Sequence, residues 1–263
     1  MRISLLFFLF LILTVCQAQN DKTYQLSKKK EFTIGATCLV LGVADQILSN
    51  NLKPLSEVSI LNLDRMDVPS FDRSATNQFS SRAKDLSDVF EYAVFLVPSS
   101  LMISEKGRAE AKELGVMYVE AFTLNVFSTQ FVKYIARRNR PFMYNESLDL
   151  SSKMTTNGRK SFYSGHVSHT ATLSVFTAKV FSDLHPDSRW KTAIWATAFA
   201  IPVTTGYLRY KAGQHFPSDV AVGLIAGSLI GYFVPEFHRL KKSLPNGLGL
   251  DTIGNGISLT YSF

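Results

Sequence analysis

Cysteine is almost missing from this chain. Only Cys16 and Cys38 occur in 263 residues, so a disulfide-stapled scaffold is excluded. A long run of Lys and Arg interleaved with aromatics is missing too. The net charge of +7 would suit nucleic acid or an anionic membrane surface. The densest basic patch, Arg137 to Arg140, is too short for a nucleic-acid groove, and no nucleic-acid partner is expected. No linker rich in Pro, Gly or Ser and no internal repeat divides the chain, which predicts one domain. The alternation of β-branched residues that announces strands is absent before the C-terminal tail, which excludes a sheet-based core.

What is present begins with a targeting-like segment. Arg2, the apolar stretch Leu5 to Val15 and the small-residue end Gln17-Ala18 make residues 1–18 read as a cleaved export signal. The other reading, an uncleaved anchor, meets an apolar core short of the roughly 20 residues a span needs. Once that segment is removed only Cys38 is left, in an apolar setting typical of a small buried side chain.

Six apolar stretches follow, near residues 32–48, 86–104, 114–136, 166–183, 190–209 and 217–237. In the last, Ala221, Leu224, Ile225, Ser228, Leu229 and Phe233 recur at helical spacing, behind Pro217 at a helix start. The expected fold is all-α, a bundle of about six core helices. Residues 19–85 would form an N-terminal helix and a polar connecting segment, and 86–240 the catalytic core. The segment from Leu52 to Lys84, punctuated by Pro54 and Pro69, reads as a surface connection rather than a lid. The tail, 241–263, reads as a single docked or flexible strand.

Three polar clusters interrupt the apolar pattern. The first holds Lys133 with Arg140-Pro141, the second Ser164-Gly165-His166, and the third Arg209, His215 and Asp219. Lys133 and Arg140 lie two turns apart at the expected end of the third helix. Ser164 opens the fourth, Arg209 closes the fifth, and His215 to Asp219 open the sixth. Antiparallel neighbours put all of these on one face of the bundle.

The residue types suit a phosphate. Arg presents a planar fork to two oxygens and Lys a point charge. Ser164 can cap its helix, and Gly165 lets a backbone N–H approach an oxyanion. His166 and His215 can divide acid and nucleophile roles, and Asp219, four residues after His215, can hold one ring nitrogen. His169 reads as structural or pocket-lining, His185 and His238 as surface residues, and Arg137 and Arg138 as ordinary solvated charges. No Cys-x5-Arg loop, Asp-x-Asp pair, Arg-His-Gly, nucleotide-binding Gly-rich loop or metal-ligand cluster is found. The expectation is phosphoryl transfer with no metal and no cofactor.

On these residues the chain resembles the type 2 phosphatidic acid phosphatase superfamily, which includes bacterial class A acid phosphatases and vanadium haloperoxidases. That pattern reads Lys-x6-Arg-Pro, Pro-Ser-Gly-His and Ser-Arg-x5-His-x3-Asp. This chain gives Lys133-x6-Arg140-Pro141, Tyr163-Ser164-Gly165-His166 and Leu208-Arg209-x5-His215-x3-Asp219. The resemblance covers roughly residues 86–237. It implies His215 as phosphoryl-accepting nucleophile, oriented by Asp219, and His166 as the acid that protonates the leaving alcohol and later activates water. Lys133, Arg140, Ser164, Gly165 and Arg209 would hold the phosphate oxygens. Tyr163 and Leu208 depart from the pattern at positions that carry no proton or phosphoryl group.

The expected substrate is a lipid phosphate, with membrane association and a site outside the cytoplasm. A soluble non-specific acid phosphatase and a non-catalytic phospholipid-binding protein are the alternatives. Counting crossings constrains the membrane reading. If the exported N-terminus enters and the first three helices all cross, the clusters face the cytoplasm. Either an odd number of those three fails to span, or none of the six does.

Overall fold

The computed structural model describes residues 22–240, 248–253 and 256–261, so the expected signal at 1–18 lies outside the described residues. These residues fall into two units: Leu26–His238, and a smaller one that joins the chain up to Gln25 with the chain from Arg239.

All six apolar stretches of the larger unit are helical, and the fold is all-α. The long elements are α1 (Lys28–Asn50), α4 (Ser81–Val94), α6 (Ala111–Ala136), α8 (Gly165–Leu184), α9 (Lys191–Lys211) and α10 (Pro217–His238). Four short helices sit between them: α2 (Glu57–Leu61), α3 (Ser70–Arg73), α5 (Glu105–Ala109) and α7 (Leu150–Lys153). The second stretch changes to 3-10 geometry over Val97–Ile103. Pro98 lies there, and its missing N–H and bulky ring disfavour a continued α-helix.

α8 is the axis of the unit. Fifteen of its 20 residues are buried, from Gly165 and Val167 to Leu184, and α4, α6, α9 and α10 pack around it. A helix enclosed on every side cannot leave hydroxyls unpaired. Thr170 Oγ1 bonds back to His166 O (2.8 Å) and Ser174 Oγ to Thr170 O (2.6 Å), while Thr172 Oγ1 reaches across to Gly227 O (3.1 Å). The approach of α10 is closest. A Cβ built on Gly227 would meet Ser168 O at 2.3 Å, and Gly223 and Gly231 face α8 in the same way. Glycine at this four-residue spacing lets the two backbones touch and fixes the N-termini of α8 and α10 side by side.

The helices alternate in direction. Lys30 Nζ, at the start of α1, donates to Phe237 O at the end of α10 (2.5 Å). At the opposite end Arg159 Nη1 donates to Lys53 O just past α1 (3.0 Å). One end of the unit therefore gathers the ends of α1, α6 and α9 with the starts of α4, α8 and α10.

Three expectations need correcting. The helix carrying Lys133 stops at Ala136, with Arg137 left-handed (φ 46°) as its C-cap, so Arg140 is not two helical turns along from Lys133. The residue before Pro141 is pushed out of helical geometry, and Arg140 is extended (φ −76°, ψ 155°) in the following loop. The segment from Leu52 to Lys84 is more than a surface connection, because Asp72 within it is fully buried and touches the site described below. The tail forms two strands where one was expected. β1 (Leu248–Ile253) pairs antiparallel with β2 (Gly256–Tyr261), Leu248 opposite Tyr261 and Ile253 opposite Gly256. In the same smaller unit, Leu240 N donates to Thr23 O (2.9 Å) and Tyr24 bridges to Arg239.

Candidate active site

The three sequence clusters meet at one end of the helical unit, as helix polarity predicts. Lys133, Arg140, Ser164, Arg209, His215 and Asp219 are all at most 6% exposed, so their charges are held away from bulk water. Such burial is costly unless each charge has partners, and the partners define the site.

Lys133 Nζ, on the last turn of α6, donates to Tyr163 O (2.6 Å) and Lys160 O (2.9 Å). Tyr163 thus keeps its carbonyl on the site although it replaces the expected proline. Arg140 arrives from its loop and is clamped there. Its Nε donates to Asn157 O (2.9 Å), Nη2 to Asn157 Oδ1 (3.0 Å) and Nη1 to Gln214 Oε1 (2.6 Å). Burial and the nearby Arg209 lower its pKa from the ordinary arginine value to about 9. Arg209 Nη1 donates to Ser87 Oγ (3.1 Å) and Asp88 Oδ1 (3.2 Å), while its Nε has no partner.

Ser164 occupies the N-cap position of α8, but its hydroxyl caps nothing, contrary to expectation. Its backbone N–H goes to Asp219 O (3.0 Å), and its buried Oγ has no partner. The N-terminal amides of α8 and this hydroxyl therefore stand available to an anion. Gly165 sits beside Lys133: a Cβ on it would lie 3.7 Å from Lys133 Cε, an ordinary contact, so steric need alone does not explain the glycine.

His215 is 1% exposed and sits in the turn between α9 and α10. Gly213 makes that turn possible, with φ +66° and Gln78 O where a Cβ would go (2.2 Å). Burial first, then the positive charges of Arg140, Lys133 and Arg209, push the His215 pKa well below the ordinary histidine range. The ring is neutral near pH 7 and faces three cations.

Asp219 departs from its expected role in detail. Its Oδ2 lies 3.6 Å from His215 Nδ1, too far for a hydrogen bond. That oxygen instead accepts from Ser161 Oγ (2.5 Å) and Phe216 N (2.9 Å), and Oδ1 pairs with Arg138 Nη1 (2.6 Å). Arg138 is not an ordinary solvated charge. Its Nη2 pairs with the buried Asp72 (2.6 Å), and its guanidinium lies 4.2 Å from the Phe216 ring centroid. Asp72 Oδ1 accepts from Ser218 N (2.9 Å), so it caps α10 from the connecting segment. Asp219 thus locks the turn that carries His215 rather than holding its ring.

His166 and His169 share α8 with their partners on α4. His166 Nε2 lies 2.8 Å from both Asp88 Oδ1 and Glu91 Oε2, and His169 Nδ1 lies 2.6 Å from Glu91 Oε1. His169, expected to be structural or pocket-lining, shares Glu91 with His166. Asp88, Glu91, Ser87, Asn157, Ser161 and Gln214 were not legible as site residues in the sequence. Only Gln214, next to His215, had any local cue. Asp88, Glu91 and His166 have ligand atoms within 4.8 Å of one another and could also hold a cation.

Three buried cations, an unpartnered serine hydroxyl, helix-start amides, a neutral histidine and a carboxylate-paired histidine therefore converge. Residues 114–243 match the sequence model of the PAP2 superfamily. These residues hold all three site clusters, so the chain is similar to the PAP2 superfamily through the part that carries the site. Over 132 residues it is 25% identical to a lipid A 4'-phosphatase of Porphyromonas gingivalis. The alignment takes in 49% of this chain and 52% of that protein, so the chain spans about half the length of the curated relative it matches. A solved structure, described as the first transmembrane PAP2 type phosphatidylglycerolphosphate phosphatase, from Bacillus subtilis, is also similar. Its TM-score is 0.48 at 18% identity, covering 76% of this chain and 95% of that one.

Proposed function

We propose that this chain is a phosphatase acting on the phosphomonoester or diphosphate of a lipid, through a phosphohistidine on His215 and without a catalytic metal. The observation that carries the reading is the buried, neutral His215 facing Lys133, Arg140 and Arg209. Those cations would take the phosphate oxygens, with the Ser164 hydroxyl and the α8 amides. His215 Nδ1 lies on the Asp219 side, which leaves Nε2 to attack phosphorus. The P–O bond to the leaving alcohol breaks, and His166 gives that oxygen its proton. His166 then takes a proton from water, whose oxygen attacks the phosphohistidine and releases inorganic phosphate. Before substrate arrives Asp88 engages both His166 and Arg209, so a phosphate competes with Asp88 for Arg209.

The lipid preference rests on the surface. Three segments, Lys28–Asn50, Ser81–Ile103 and Pro217–His238, are long and apolar enough to cross a membrane. Leu39, Val40, Val43, Val89, Ile225 and Phe233 are large apolar residues more than half exposed along them, a surface suited to lipid rather than water. This disfavours the soluble acid phosphatase. The relative from P. gingivalis, by name a lipid A 4'-phosphatase, makes a lipid A phosphate the first substrate to try.

The alternation of helices supports one orientation. α1 packs along α6 and is tied at both ends, so it crosses wherever α6 crosses. A site outside the cytoplasm then puts Lys28, Lys29 and Lys30 inside, in agreement with the positive-inside tendency. Cleavage after residue 18 with export of the new N-terminus would require the opposite orientation for a spanning bundle. The intact mass of the membrane-extracted protein separates the two. A mass that includes residues 1–18 supports this orientation, and a shortened chain contradicts it.

The activity test is phosphate release from lipid A phosphate, phosphatidate and a soluble aryl phosphate by wild type and His215→Ala, each with and without EDTA. Release that needs His215 and survives EDTA is expected. Equal release by both proteins would refute the reading.

A further inference from the structure

At the end of the helical unit opposite the active site, three side chains converge that the phosphatase reading does not use. They are Glu31 at the start of α1, Glu120 in α6 and His238 at the end of α10. His238 is not the surface residue its position suggested, because it is 0% exposed. With 22 residues in α10, about 30 Å of helix separates His238 from the catalytic end.

His238 Nδ1 lies 2.8 Å from Val234 O, its own i−4 carbonyl. A carbonyl only accepts, so Nδ1 carries a proton, and Nε2 is the ring atom that can take either a second proton or a metal ion. That Nε2 has no hydrogen-bond partner and lies 3.3 Å from both Glu31 Oε1 and Glu120 Oε2. Glu31 Oε2 and Glu120 Oε2 are also buried without partners. Among the described residues no Lys or Arg pairs with either carboxylate; the amine of neighbouring Lys30 goes to Phe237 O. Two carboxylates thus meet an imidazole nitrogen with no Lys or Arg among them, a buried cluster that a bound cation or a proton on Nε2 would stabilise.

We propose that Glu31, Glu120 and His238 bind a divalent first-row transition ion, with Zn2+ as the representative. Tetrahedral Zn2+ at about 2.0–2.1 Å from N and O donors spaces its ligand atoms about 3.3–3.4 Å apart. The two separations of 3.3 Å from His238 Nε2 already have that value. A main-chain carbonyl holding the second ring nitrogen is the usual support of a metal-binding histidine. One imidazole with two carboxylates suits Zn2+ better than Mg2+ or Ca2+, which take oxygen donors alone. The Glu31 side chain is 28% exposed, which supplies an entry path and room for a water as fourth ligand. The ion would staple α1 to α6 and α10. That matters because α1 is otherwise weakly held: only Cys38 and Asp45 of its 23 residues are buried. The site is remote from His215, so it takes no part in the reaction.

The test uses the full chain in detergent, purified without a polyhistidine tag, loaded with Zn2+, desalted and measured for metal content and thermal unfolding. Wild type is expected to retain one Zn2+ per chain and to unfold at higher temperature with Zn2+ than after EDTA. His166→Ala, which removes the other possible ligand cluster, is expected to retain it equally. His238→Ala is expected to retain none and to lose the thermal shift. The near-isosteric Glu31→Gln and Glu120→Gln keep the test open if His238→Ala does not fold, and each should weaken binding at least tenfold. Wild type without retained Zn2+, or Gln variants that retain it as tightly as wild type, would overturn the proposal. In that event Nε2 carries a proton shared between the carboxylates. Neither result bears on phosphate release, which is read from His215→Ala.

Discussion

Replacing Arg138 with alanine tests how Asp219 serves the site. Arg138 holds Asp219 and Asp72, each at 2.6 Å, and the two carboxylates are 0% and 1% exposed. Removing one partner of a fully buried ion pair costs about 3–5 kcal/mol, because a charge is left without compensation. The Arg138 side chain is 25% exposed, so water can enter the space it leaves. Its loss should therefore cost less, about 2–3 kcal/mol, even with two carboxylates affected. At about 2–4 °C per kcal/mol for a unit of this size, thermal unfolding in detergent should begin about 4–12 °C lower. The same change frees the turn that carries His215, so kcat should fall at least tenfold while KM changes less. Arg138→Lys keeps the charge but only one prong, and should fall between. Unfolding within about 0.5 kcal/mol of wild type, together with unchanged kcat, would show that Asp219 does not act through this network.

The His215 pKa is depressed by burial and by Arg140, Lys133 and Arg209, so the acid limb of kcat/KM set by this group should lie well below pH 6.5. Arg140→Gln removes one of those charges and should move the limb to higher pH while lowering kcat/KM; a limb that stays put would refute the electrostatic cause. The linked effect on stability has a definite sign. In the unfolded chain His215 protonates near its ordinary value, whereas in the folded chain it does not, so the unfolded state binds more protons below about pH 6.5. Stability from this group is complete above that pH and declines as pH falls toward the folded value. Gly227→Ala would put a Cβ 2.3 Å from Ser168 O. Forcing α10 from α8 should cost about 1–3 kcal/mol, seen as a lower unfolding temperature, and wild-type stability would contradict the close packing.

The helices and the meeting of the motifs were legible because both depend on local pattern. Apolar periodicity marks the long helices, and the direction of each helix decides which motif lies at which end. Long-range partners leave no such pattern. Nothing near Asp88 or Glu91 marks them as partners of His166, 78 and 75 positions further on. Asp72 looks like a loop carboxylate until α10 is placed on it. His238 looks exposed because it ends a helix, yet α1 and α6 close over it. Arg140 was put on the right site by the wrong geometry: spacing alone suggested a helix, whereas Arg137 ends that helix and Pro141 extends the chain. Gly254-Asn255, the two residues between the paired Ile253 and Gly256, have the composition of a hairpin turn, the local cue for two strands in the tail.

The central claim is that His215 becomes phosphorylated, and rapid acid-free quenching with phosphorus-labelled lipid substrate tests it directly. Wild type should show transient label on protein that is lost on acid treatment, as phosphohistidine is. His166→Ala should accumulate it if the leaving group is a good one, and His215→Ala should show none. Label that persists in His215→Ala, or its absence in every protein while phosphate is still released, would contradict the account.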